Sequence, residues 1–159
     1  GTSIFAPLGM THTFVYTQAN AKKFEAHRVY GYDPASQSLD DLSYLDGIVG
    51  DGGVYSTVGD LLKLDQALYT EKLLKNSTLK QAFKPGHLNN GEAIEYGYGW
   101  LVDGEYGEWV AHTGSWVAFR SIFSRYLKQK QTVIILTNTN NEELDVIEEQ
   151  ILEILENSE

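Results

Sequence analysis

The stretch that decides the fold begins at Tyr96-Gly97-Tyr98-Gly99-Trp100 and passes through Ala111-His112-Thr113-Gly114. It ends at Val133-Ile134-Ile135-Leu136-Thr137-Asn138. Short runs of strand-forming residues are punctuated here by glycines, the pattern of strands joined by turns. Tyr96 to Val102, Gly107 to His112 and Trp116 to Arg125 read as strands. Thr132 to Asn138 is β-branched and apolar on both faces, the composition of a central, doubly covered strand. Tyr126 to Gln131, with Lys128 and Lys130, reads as the hairpin connection before it.

Beyond Asn138 the period lengthens. Leu144, Ile147, Ile151, Ile154 and Leu155 fall on one stripe of a helix from about Glu142 to Glu156, expected to lie on the sheet. Its acidic C-terminal end opposes the helix dipole, so fraying is expected from about Glu156. Upstream, Thr57-Val58-Gly59-Asp60 has the form of a capping box, with both end side chains serving backbone donors. Val58, Leu61, Leu62, Leu64 and Leu68 then fit an amphipathic helix to about Tyr69. Gly52-Gly53 before it predicts a positive φ, or a close approach no Cβ allows. A short helix from Ser77 to Phe83 should stop at Pro85-Gly86. Residues 4–13 read as a helix tail and a turn at Pro7 and Gly9. Residues 14–50 are irregular, with a strand-like piece from Ala26 to Tyr32.

The fold class expected is α+β: an antiparallel meander of three or four strands with a C-terminal helix packed on it. A smaller helical and irregular region accompanies it. Residues 1–90 and 91–159 are the expected parts of one domain. The 159 residues, 42% hydrophobic and 12% aromatic, suit one globular unit with a real core. The absence of cysteine excludes disulfides and thiolate metal sites. No apolar run reaches membrane-spanning length, and no signal-like segment opens the chain. Of the net charge of −10, most lies in residues 142–159, which hold eight acidic residues and no basic one. That run reads as a solvated helix face. Nucleic acid is excluded as a partner, because phosphate contacts need clustered Lys and Arg.

Few residues carry chemistry. Ser77-Thr78-Leu79-Lys80 matches Ser-x-x-Lys, in which one helical turn brings an amine to a hydroxyl. Its surroundings read instead as a surface helix with Ser77 as N-cap. His12, His27 and His87 lack metal-ligand spacing, so neither metal nor cofactor is expected. Asp40-Asp41 reads as a solvated pair in a polar loop. No Tyr-x-Asn, Ser-x-Asn or Gly-x-Ser-x-Gly occurs.

The order Tyr-Gly-Tyr-Gly-Trp, Ala-His-Thr-Gly, Phe119-Arg120-Ser121 and Val-Ile-Ile-Leu-Thr-Asn resembles the C-terminal sheet of the serine β-lactamase and penicillin-binding protein family. Gly52-Gly53-Val54-Tyr55-Ser56-Thr57 with Asp60-Leu61, and the opening Pro7-Leu8-Gly9-Met10-Thr11-His12-Thr13, add two more matches. The resemblance implies the C-terminal portion of a serine hydrolase that cleaves a β-lactam, D-Ala-D-Ala peptide or ester through an acyl-enzyme. It also implies that the Ser-x-x-Lys nucleophile lies upstream, so this chain alone should be inactive. His112 and Thr113 would be the catalytic residues present, and His112, Thr113, Gly114 and Ser115 would bind substrate along a strand edge. His112 would supply a donor, Thr113 a hydroxyl, and Gly114 close backbone approach. Histidine where many lactamases carry lysine tilts the parent toward carboxypeptidases and esterases. A non-catalytic peptide-binding module of the same fold is the rival reading, and a hydrolase using Ser77 is a second. An extracytoplasmic parent is implied by the family. A homodimer is expected through Thr132 to Asn138, left without its neighbouring strand.

Overall fold

The structure is a computed structural model that describes residues 3–41, 43, 48–103, 108–140 and 143–157. A short helix α1 (Phe5–Leu8) ends at Gly9, which takes the left-handed conformation at φ +64°. Pro7 lies within α1, in the first turn, where its missing N–H costs nothing. Next come β1 (Phe14–Val15), a helical turn α2 (Ala21–Phe24) prolonged by a 3-10 turn at Glu25–His27, and the hairpin of β2 (Tyr32–Asp33) and β3 (Ser38–Leu39). β4 (Val54–Tyr55) pairs back on β1.

Helices α3 (Val58–Leu68) and α4 (Asn76–Ala82) follow, then the hairpin of β5 (Gly86–His87) and β6 (Ala93–Ile94). The chain finishes with β7 (Leu101–Asp103), β8 (Trp109–Trp116), β9 (Phe119–Tyr126), β10 (Gln131–Thr137) and α5 (Leu144–Glu156). The last four strands form one antiparallel sheet in the order β10-β9-β8-β7. The expected meander with a C-terminal helix on it is therefore the architecture found.

Residues paired across strands share a face, and successive residues alternate. Val102, Val110, Arg125 and Thr132 are thus on one face, and Ala111, Ser124 and Val133 on the other. Helix α3 contacts β10, and α5 contacts β9 and β10. On the first face, the Asp65 carboxylate of α3 accepts from Arg125 Nε at 2.7 Å and from Thr132 Oγ1 at 2.8 Å. On the second, Tyr126 Oη donates to Glu148 of α5. Burial, then Glu148, pushes the Tyr126 phenol up to about 12.

Several expectations are corrected. Among the described residues β10 pairs as a strand only with β9, at the edge of the sheet with Leu136 exposed, and just past its end Asn138 O accepts from Tyr32 N–H. The apolar faces of β10 are met by α3 and α5. Tyr96 to Trp100 is a turn, with Gly99 at φ +78° and Gly97 N–H donating to Trp100 O. Strand β8 continues through His112 to Trp116, where Val117 at φ +43° begins the hairpin turn. Ala26 to Tyr32 begins in the 3-10 turn and is strand only at Tyr32. Gly107 and Glu142 lie outside the described residues.

The capping box is half right. Thr57 Oγ1 accepts from Asp60 N–H, but the Asp60 carboxylate turns away to His12 N–H, Thr13 Oγ1 and Lys63 Nζ. It ties the opening segment to α3. Ser77 is the second residue of α4 rather than its N-cap, a place taken by Lys75. Gly53 has φ +73°, as its place before the capped helix requires. On α5 Leu144 is buried while Ile154 is 66% exposed, so only part of the apolar stripe is covered.

Asp41 is not solvated. It pairs with buried Arg28, whose guanidinium lies over the rings of Tyr16, Tyr30 and Tyr55. Asp41 also accepts from Gly31 N–H, and Asp40 O accepts from Ala118 N–H in the β8–β9 turn. These bonds anchor the irregular loop to the tip of the hairpin that carries His112.

Candidate active site

β8 is paired along its whole length with β9 on one side, from Trp109↔Tyr126 to Trp116↔Phe119. On the other side β7 stops at Leu101↔Ala111. Among the described residues no strand pairs with His112 to Ser115 on that side. A strand edge of this kind offers backbone N–H and C=O groups to an extended ligand.

The four candidate residues do not converge as side chains. Alternation along β8 puts His112 and Gly114 on the face of α3, and Thr113 and Ser115 on the face of α5. Only alternate residues, Thr113 and Ser115, turn their backbone N–H and C=O to the open side, while those of His112 and Gly114 face β9. Gly114 has a further reason to be glycine. A Cβ there would stand 2.4 Å from Ser121 Oγ on the paired strand, so its missing side chain is filled from within the sheet.

His112 is exposed, and both ring nitrogens have partners. Nδ1 lies 2.6 Å from Thr113 O and Nε2 lies 3.0 Å from Tyr96 Oη. The expected donor toward a substrate is thus engaged within the chain. Tyr96, unassigned on sequence, is brought in by the turn at Gly97 to Gly99. The signal was present in the Tyr-Gly-Tyr-Gly-Trp repeat, whose glycines permit that turn. Gly97 packs so closely on Ala82 O that a Cβ would be 2.1 Å from it.

Behind His112 the first face is aromatic. Trp100 meets Phe83 and Phe123 edge-on, and the Arg125 guanidinium lies within 6 Å of the rings of Tyr69, Phe83 and Trp100, at 4.6, 5.7 and 5.9 Å. This packing sets the orientation of the strand without touching its edge.

Ser77 and Lys80 are exposed on α4, and no hydrogen bond joins them among the described residues; only Leu79 of that segment is buried. A concavity of about 640 Å3 opens elsewhere, beside Glu95, Asp103, Glu108 and Trp109, at the opposite end of β8. Among the described residues no three His, Asp or Glu side chains group to hold a metal ion.

An inner strand bearing His-Thr-Gly, left open on one side where the shorter β7 stops and set in a helix-covered antiparallel sheet, defines the C-terminal sheet of a β-lactamase-type fold. The Beta-lactamase family model matches residues 1–156, and the chain belongs to that family. A penicillin-binding protein of Bacillus subtilis (strain 168) is 39% identical over 168 aligned residues, covering 98% of this chain and 37% of the relative. The chain therefore spans little more than a third of that protein. A penicillin-binding protein from Bacillus halodurans superposes with a TM-score of 0.76 at 22% identity, over 97% of this chain and 48% of its own. The D-amino acid amidase of Ochrobactrum anthropi SV3, complexed with L-phenylalanine amide, gives 0.62 at 26% identity, over 86% and 41%.

Proposed function

We propose that this chain supplies the His-Thr-Gly wall of a serine hydrolase acting on a β-lactam, D-Ala-D-Ala peptide, amide or ester through an acyl-enzyme. The observation that carries this reading is the unpaired edge of β8 from His112 to Ser115, in a chain of the Beta-lactamase family. The edge would align the substrate as an added strand, with the His112 and Tyr96 pair beside it. On this reading the Ser-x-x-Lys nucleophile belongs to another part of the protein, which the exposure of Ser77 and Lys80 and the lack of a hydrogen bond between them among the described residues support. The similarity to a D-amino acid amidase supports amide-like substrates. Residues 1–90 and 91–159 are taken as parts of one domain, a reading supported by the Asp65–Arg125 ion pair on β9 and by the hydrogen bond from Ala118 N–H at the hairpin tip to Asp40 O.

On this reading the chain alone forms no acyl-enzyme. Intact-mass spectrometry after incubation with a β-lactam and with a fluorophosphonate should give the unmodified mass. A stoichiometric adduct on any serine would refute it, and loss of that adduct in Ser77→Ala would point to Ser77 as nucleophile. The same edge also suits a peptide-binding module without turnover; tight peptide binding by a longer protein that never acylates would favour that alternative. In isolation the open edge of β10 is proposed to pair with a second copy.

A further inference from the structure

We infer that Tyr96 is the positioning residue of His112, and that the neutral imidazole is held with its proton on Nδ1 and the Nε2 lone pair turned to the phenol. A carbonyl oxygen only accepts, so Nδ1, 2.6 Å from Thr113 O, carries the hydrogen. A neutral imidazole has one N–H, so Nε2 is the acceptor, and the Tyr96 hydroxyl at 3.0 Å donates to it. The phenol is itself held by the backbone around it. Tyr96 O accepts from Gly86 N–H at 2.9 Å, and Tyr96 bridges Leu101 at the start of β7. A Cβ on Gly86 would stand 3.1 Å from Tyr96 O, and Gly97 beside it has no room for one at all. The two rings meet edge-on at 6.2 Å.

The consequence is a change of donor. Neutral His112 keeps no N–H for a ligand at the β8 edge. When the ring takes up a proton, Nε2 becomes a donor and Tyr96 Oη must accept. The Tyr96 O–H is then free to turn toward a ligand, and the side chain is 38% exposed. Tyr96 thereby converts a proton on the imidazole into a hydroxyl donor beside the strand. This last step rests on the proposed function; the tautomer does not.

The test is two-bond proton–nitrogen correlation NMR on the chain carrying nitrogen-15 histidine. It is run at alkaline pH, with the His112 signals assigned by their loss in His112→Gln. The expected spectrum has Nδ1 protonated and Nε2 of the unprotonated type, shifted by an accepted hydrogen bond. In Tyr96→Phe, with the amide spectrum otherwise preserved, Nδ1 stays protonated and Nε2 moves to the position of a nitrogen without a partner. A wild-type His112 protonated on Nε2, or nitrogens unmoved by Tyr96→Phe, overturns the inference. If Tyr96→Phe does not fold, the wild-type Nε2 shift decides, and an Nε2 at the position of a nitrogen without a partner overturns the inference. Failure of the proposed function would be seen separately, as a missing acyl-enzyme with the tautomer as expected.

Discussion

Removing Asp65 should be the most damaging single truncation in the molecule. Its carboxylate and Arg125 are both buried, 1% and 0% exposed, and their 2.7 Å ion pair ties α3 to β9. Thr132 of β10 donates to the same carboxylate oxygen. Asp65→Ala leaves a buried guanidinium among aromatic rings, where Nη1 already has no hydrogen-bond acceptor among the described residues. Breaking a buried pair from one side costs about 3–5 kcal/mol. That is a large part of the roughly 5–15 kcal/mol that holds a domain together. The rings of Tyr69, Phe83 and Trp100 stay on the guanidinium in both proteins, so their contribution cancels and the full range is expected. Urea unfolding followed by tryptophan fluorescence measures it. The double change Asp65→Leu with Arg125→Met should recover most of the loss, because two apolar groups need no partner. A loss below about 1 kcal/mol in Asp65→Ala, the size of an exposed pair, would refute the reasoning, as would a double variant no better than the single one.

Three further outcomes follow from particular contacts. Gly114→Ala should destabilise the chain by no more than about 1 kcal/mol, because the Ser121 hydroxyl turns to another rotamer, and added Ser121→Ala should restore it, since Ser121 Cβ stays 3.7 Å from the new methyl; chemical denaturation of the three variants decides. Burial alone would raise the Asp60 carboxyl, but hydrogen bonds from Lys63, Thr13 and His12 N–H outweigh it and hold the group below its usual range. Its stabilising effect is therefore complete above the ordinary value of about 3.9 and lost as pH falls through the lower folded value, so Asp60→Asn should flatten the acid limb of stability against pH. Light scattering at micromolar concentration should find a dimer of the isolated chain through β10, and a monodisperse monomer with fast amide exchange along Val133 to Leu136 would exclude it.

The parts legible in the sequence were those governed by local pattern. Runs of strand-forming residues punctuated by glycines gave the meander, and the stripe from Leu144 to Leu155 gave α5. The capped start of α3 followed from Thr57. What escaped was set by contacts between distant residues. Asp60 looked like half of a local cap because its partners, His12 and Thr13, lie some 47 residues away. Asp41 looked solvated because nothing nearby in sequence announces Arg28 in its ring of tyrosines. Apolarity on both faces of β10 could not distinguish a central strand from an edge strand covered by α3 and α5. At the site, His112 to Ser115 were legible as a motif. Their division between two faces follows from β8 running through to Trp116, and the Tyr96 contact from a turn that was read as strand.

The central claim is that the edge headed by His112 works in an acyl-transfer site. The most direct test joins this chain to a Ser-x-x-Lys segment in one protein and follows acylation by a β-lactam with and without His112→Ala. Loss of a proton-transferring group should slow acylation by about 100-fold or more, with the fold intact by amide NMR. An acylation rate unchanged by His112→Ala would contradict the account.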